Sequence, residues 1–303
     1  MRRFVTPRAA VAMAACLVGV ALAGAASAQE LGLIYAAVID QTGQPVTDLT
    51  PEEFQVNEDG NAANVVSADV GAEPMKIALL VDNGRRISRG QAINPLRDGV
   101  AAFIENIPAE HEIGLFTIGG QIQRRVGFTT DRGELLEEAA DIHVDNAGSV
   151  RFIDGVRETW DRRYEGDEAW PIFVAVLTDA LESSAFMNED RFMGWIDQLR
   201  AGGVTVHSVL WRSRGAGFAG QVATGFAINL AENTGGRYTQ IAAATAFEDN
   251  LRQLATDMAT HWEQASIRYR VIYERPDPAG QSVSVSVTRP GVNLQLFGDR
   301  SMP

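Results

Sequence analysis

Residues 76–90 read KIALLVDNGRRISRG. The apolar run at 77–81 has no polar alternation, so both faces of that strand are to be covered, as inside a parallel sheet. The run ends on a carboxylate, Asp82, and Asn-Gly, Arg85 and Arg86 follow. A second buried run, IFVAVL at 172–177, ends in the same way with Asp179. In an open α/β sheet, ligands bind beyond the carboxyl ends of the strands. Two carboxylates at neighbouring strand ends can share one site, and their oxygens suit Mg²⁺, Mn²⁺ or Ca²⁺. Without a cation, their mutual repulsion has to be relieved by arginine, protonation or solvent. A strand-end aspartate also serves as a helix cap or turn residue.

Around these two strands the pattern alternates. Helices are expected at 91–106, 131–141, 150–160, 189–200, 220–233 and 246–261. Strands are expected at 113–118 and 204–210, with an edge strand at 121–126 after the Gly119-Gly120 turn. Strands separated by helices of this length imply an α/β sheet with helices on both faces. The two ends of the chain differ. Strand-like segments at 31–40, 54–58 and 63–70 precede the alternating part, and segments at 267–274, 281–288 and 292–296 follow it. In SVSVSVT, at 282–288, the period is two, so one face is buried and one is wet. The end strands can pair with one another. The expected organisation is a β-rich segment at 29–73, a Rossmann-like domain with a mostly parallel sheet at 74–263, and a β tail at 264–303.

Residues 1–28 carry a basic start (Arg2, Arg3, Arg8), an Ala/Val/Leu-rich run and a small-x-small site ending at Ala28. This reads as a secretory signal peptide, which implies a periplasmic or secreted protein. A retained anchor is the alternative, as is lipid attachment at Cys16, the single cysteine. Cleavage after Ala28 leaves 275 residues without cysteine, which excludes disulfides, thiol catalysis and cysteine-ligated zinc. It also removes three arginines and takes the formal charge from −13 to −16. With no basic stripe, nucleic acid is not expected as a partner.

Several segments, in order, resemble the bacterial VWFA-related group of secreted von Willebrand factor type A proteins. They are VIDQTGQPVTDLTPEEFQVNEDG, IALLVDNG, FTTDRGEL, NAGSVRFIDGV, AVLTDALES, LAENTGGRY and the tail from YRVIYERPDP onward. The resemblance implies a type A fold and a non-enzymatic protein-binding, adhesion or assembly role in the cell envelope. It also implies a metal-ion-dependent adhesion site with Asp-x-Ser-x-Ser in the first loop, a threonine from a middle loop and a later aspartate. On this chain Asp82 takes the first position, Gly84 and Arg86 replace the two serines, Ser149 takes the threonine position and Asp179 the last. Ser88 serves only if the loop is remodelled. Glycine removes a ligand, and arginine cannot coordinate a cation but can pair with carboxylates. Three readings follow: a degenerate site locked by Arg86 or Arg85, arginines that simply face solvent, and a retained Mg²⁺ or Mn²⁺ site completed by water. In the first reading Arg85 and Arg86 become the partner-binding groups, for an unidentified protein partner bearing a carboxylate.

Other signals are weaker. GAGFAG, at 215–220, fits a dinucleotide fingerprint by its letters. The spacer WRSR and the lack of a ribose-binding acid argue for a plain glycine loop, so no nucleotide is expected. The four histidines are scattered, and no nucleophile–base pair supports an exported hydrolase. Core positions are the default for the tryptophans, with Trp170 and Trp211 as candidates for a binding rim.

Overall fold

The computed structural model describes residues 30–88, 91–146, 148–164, 169–184, 189–212 and 217–297. The expected leader, Cys16 and the start of the glycine run at 215–220 lie outside them.

Two six-stranded sheets organise the chain. The first strands are β1 (Leu31–Asp40), β2 (Phe54–Glu58) and β3 (Asn61–Val70). Next come β4 (Met75–Val81), α1 (Ile93–Asn106), β5 (Glu112–Thr117), β6 (Gln123–Thr129) and α2 (Arg132–Ala140). The short β7 (Ser149–Val150) leads into α3 (Phe152–Arg163), β8 (Trp170–Thr178) and the short β9 (Leu181–Glu182). Then follow α4 (Glu189–Ala201), β10 (Thr205–Trp211), α5 (Phe218–Asn233), β11 (Tyr238–Ile241) and α6 (Phe247–Ser266). The chain closes with β12 (Tyr269–Glu274), β13 (Val283–Val287) and β14 (Val292–Phe297).

The central sheet runs β11-β10-β8-β4-β5-β6. Every neighbouring pair is parallel except β5 with β6. Side chains alternate across the pleat. Met75, Ile77, Leu79 and Val81 face α1, α2 and α6, while Ala78 and Leu80 face α3, α4 and α5. This explains the unbroken apolar runs: each face meets its own helix layer. From β4 the chain moves to β5 on one side and later returns to β8 on the other, so strand order reverses between β4 and β8. Asp82 and Asp179 follow those two strands.

The second sheet, β13-β2-β3-β12-β1-β14, is antiparallel and curls nearly into a barrel built from both chain ends. Its core holds Ala36, Val38, Phe54, Val56, Tyr269 and Val271. The Tyr269 hydroxyl accepts the Leu49 N–H at 2.7 Å. The two crossings between the sheets are tied together, because Gly71 N–H donates to Arg268 O at 3.2 Å and Trp262 Nε1–H to Glu73 O at 3.0 Å.

Three expectations need correction. The helix expected from 150 begins at Phe152, because Ser149 and Val150 pair with Leu181 and Glu182. The edge strand lies at Gln123–Thr129 and not at 121–126, because Gly119, Gly120 and the following residues are used in the turn. Trp170 and Trp211 are no rim: they are 1% and 9% exposed and belong to the core.

Candidate functional site

The carboxyl ends of β4 and β8 bring Asp82 and Asp179 to the switch point, both almost fully buried. Asp82 N–H donates to Val176 O at 2.8 Å, which ties the residue to the end of the neighbouring strand. Its carboxylate is occupied by the protein itself. Oδ1 accepts Gly84 N–H at 2.9 Å, and Oδ2 accepts the Thr178 N–H at 3.2 Å and the Thr178 hydroxyl. Burial pushes the Asp82 carboxyl above the usual carboxylate range. The Thr178 and Gly84 hydrogen bonds oppose that shift, and the neighbouring Asp179 adds to it.

Arg86 lies in the short 3-10 turn at Arg85–Ser88. Its Nε stands 3.3 Å from Asp179 Oδ1, with the guanidinium side chain 27% exposed. Arg85 is exposed and reaches over the middle loop: a Cβ built at Gly148 would stand 3.2 Å from its Nη2. Ser88 turns its hydroxyl back to Arg85 O at 2.8 Å and closes the turn. Ser149 sits half-buried on β7, paired with Leu181 two residues beyond Asp179, and its carbonyl accepts Gly120 N–H at 3.2 Å. Asp82, Arg85, Arg86, Ser149 and Asp179, singled out from the sequence, therefore lie at one end of the central sheet.

Two residues that the sequence reading did not select hold this end together. Asn83 accepts Gly119 N–H at its Oδ1 (3.2 Å), donates from Nδ2 to His143 O (2.8 Å) and accepts Asp145 N–H at its carbonyl (2.8 Å). Gly119 approaches so closely that an added Cβ would lie 2.6 Å from Gly84 N. Thr178, one residue before Asp179, supplies the hydroxyl on Asp82. Its signal was the parallel pairing of β4 with β8, which places the end of one run beside the end of the other. Below the rim, buried Glu182 accepts Phe152 N–H at 3.1 Å and Ser184 N–H at 2.9 Å, anchoring β9 to the start of α3. Burial raises its carboxyl above the ordinary range against the hydrogen bonds from Ser184 and Phe152.

A divalent ion needs carboxylate oxygens free to face it. Here Asp82 spends both oxygens on protein donors and Asp179 faces a guanidinium. Gly84 offers no ligand, and no group of three or more His, Cys, Asp or Glu gathers among the described residues. In this arrangement the residues present do not fit such an ion. The histidines lie elsewhere or at the margin. His111, His207 and His261 are buried, and exposed His143 contacts Asp141 O.

Comparison with solved structures agrees with this architecture. A von Willebrand factor type A protein from Catenulispora acidiphila superposes with a TM-score of 0.51 at 8% identity, over 76% of this chain and 50% of that one. Proximal thread matrix protein 1 from the mussel byssus, in its second crystal form, superposes with a TM-score of 0.50 at 14% identity, over 64% and 49%. The chain spans about half the length of each. No protein-family model matches the chain, and no curated protein does. At these identities the likeness is one of fold: the central sheet and the helices described on its two faces have the type A architecture that the sequence motifs resemble.

Proposed function

We propose that this chain is a non-enzymatic protein-interaction module of the adhesion or assembly kind, in which Arg86 stands where a type A site would hold a divalent ion. The observation that carries this reading is the pairing of Arg86 with buried Asp179 at the switch point. A fixed positive charge there relieves the repulsion between two buried carboxylates without metal. Partner binding at this face is then independent of Mg²⁺, Mn²⁺ and Ca²⁺, and a carboxylate of the partner meets Arg85, which is exposed in the same loop. The leader expected at 1–28 supports a cell-envelope or secreted setting for this role.

The test is calorimetric titration of metal-stripped protein with Mg²⁺, Mn²⁺ and Ca²⁺, beside an Arg86→Ser, Gly84→Ser double variant. Silence in the natural protein and binding in the variant is the expected result. Heat of binding in the natural protein would return the function to metal-dependent adhesion through Asp82, Ser149 and Asp179.

A further inference from the structure

Strand β1 is apolar on both faces. It is an interior strand of the second sheet, with β12 paired to its first half and β14 to its second. Its even positions Ile34, Ala36 and Val38 face the core. Leu31, Leu33, Tyr35, Ala37 and Ile39 therefore face outward. An antiparallel sheet with one wet face alternates apolar with polar. Its neighbours follow that rule: Gln55 and Asn57 on β2, Ser284 and Ser286 on β13, and Asn293 and Gln295 on β14 take the outward positions. The pattern of β1 is that of a strand covered on both sides.

The exposed apolar surface gathers at one end of this face. Leu31, Leu33 and Val66, the extra residue of the bulge in β3, are more than half exposed. Ile272, the partner of Leu33 on β12, is half-buried. At the other end Arg268 already lies over the Phe297 ring, 3.8 Å from its centroid. The charges beside the apolar centre are placed symmetrically. The outward residues of β12 are Arg270, Ile272 and Glu274, so opposite charges stand two residues to either side of the isoleucine. Arg270 pairs with Glu73 of its own chain, Glu274 accepts Asn64 Nδ2–H at 3.2 Å, and both stay partly exposed.

We propose that the outward face of β1 and β12 is the interface of a symmetric dimer of this chain, packed sheet on sheet about a twofold axis that crosses the strands at Leu33 and Ile272. That axis reverses β12, so each Arg270 comes over the second copy's Glu274, while Leu33 and Ile272 meet their own counterparts. The occupant is a second copy because the face complements itself: equal spacing of opposite charges about an apolar centre serves no purpose toward a lipid surface. The formal charge of −13 also weighs against an anionic membrane. Three strands about 4.8 Å apart and about 33 Å long make a face of roughly 500 Å². That is below the ~800 Å² per partner of a standard interface, so the dimer is weak, with Kd on the order of 100 µM. This contact is separate from the Asp82–Asp179 face and stands or falls without it.

The test is sedimentation equilibrium of the purified chain up to about 1 mM, well above the expected Kd, with thermal melts to check the fold of each variant. Expected is a dimer that Leu33→Glu abolishes without lowering the melt, since that side chain is exposed. Glu274→Arg should weaken it about tenfold or more, and Glu274→Arg combined with Arg270→Glu should restore it to within about threefold. A monomer at every concentration overturns the proposal, as does a dimer indifferent to Leu33→Glu. A folded double variant no stronger than Glu274→Arg alone overturns it too. A monomer that binds vesicles of phosphatidylethanolamine and phosphatidylglycerol, and loses them with Leu33→Glu, would make lipid the occupant and likewise overturn it.

Discussion

At the scale of the residue, Arg86 carries the argument. Asp179 is 1% exposed and faces the Arg86 guanidinium. Breaking a buried ion pair from one side leaves an uncompensated charge, at a cost of about 3–5 kcal/mol. Arg86 is 27% exposed, and solvent screens part of that. Arg86→Met should therefore lower unfolding stability by roughly 1–3 kcal/mol, and Arg86→Lys by less. Urea denaturation checks this, and equal stability of Arg86→Met and the natural protein would remove the pairing from the account. The two strand-end carboxylates and the arginines beside the first were legible in the sequence, because each is a matter of residue identity at a fixed offset from an apolar run; the missing serines came only from the resemblance to the type A motif. Asn83 and Thr178 were not legible. Their roles depend on which loop the folded chain brings against them, and no local spacing encodes Asn83 reaching Gly119 and His143.

At the scale of the element, the turn between α5 and β11 sets the most severe steric limit. Gly235 has φ of +70°, a conformation that favours glycine, and Gly236 packs against the neighbouring strand. A Cβ at Gly236 would stand 2.0 Å from Val206 O, a backbone atom inside the central sheet. No rotamer relieves that contact, so β11 would have to leave β10. Gly236→Ala should cost upwards of about 3 kcal/mol and lower soluble yield, whereas Gly194→Ala, where a Cβ meets open space on α4, should be neutral or slightly stabilising. Thermal melting of the two variants decides it, and a Gly236→Ala melt like the natural one would show the turn to be slack. Most elements were legible, because buried parallel strands and amphipathic helices write their own periods. β7 was not. It holds two residues, pairs with a segment some thirty positions away, and its Val150 takes the place where the helical pattern of the sequence starts.

At the scale of the whole molecule, stability against acid separates the buried histidines from the buried acids. His207 is 1% exposed, and its Nδ1 accepts Arg237 N–H at 3.0 Å, so the ring is held neutral. Burial, then Arg237 and His261, lower its pKa to about 3. His111, whose Nδ1 accepts Met75 N–H at 3.2 Å, is lowered by burial and by Arg132. A histidine whose pKa is lower in the folded state is protonated first in the unfolded chain. Its stabilising share is complete above the unfolded value near 6.5 and falls as pH drops toward the folded value. Asp82 and Glu182 act in the opposite sense. Their raised pKa values make the folded state take up protons first, which relieves the cost of buried charge as pH falls. Lower pH also trims the self-repulsion of a chain with a formal charge of −13. The net slope is thus a contest, and a single substitution isolates one side of it. His207→Gln keeps an acceptor for Arg237 N–H and removes the titration. Between pH 7.5 and 5 the natural protein should lose roughly 2 kcal/mol more than the variant, at about 1.4 kcal/mol for each pH unit below 6.5. Urea unfolding at the two pH values measures the difference. Parallel losses would mean that His207 is protonated alike in both states and that its place between β8 and β11 is not the dry one the structure gives it.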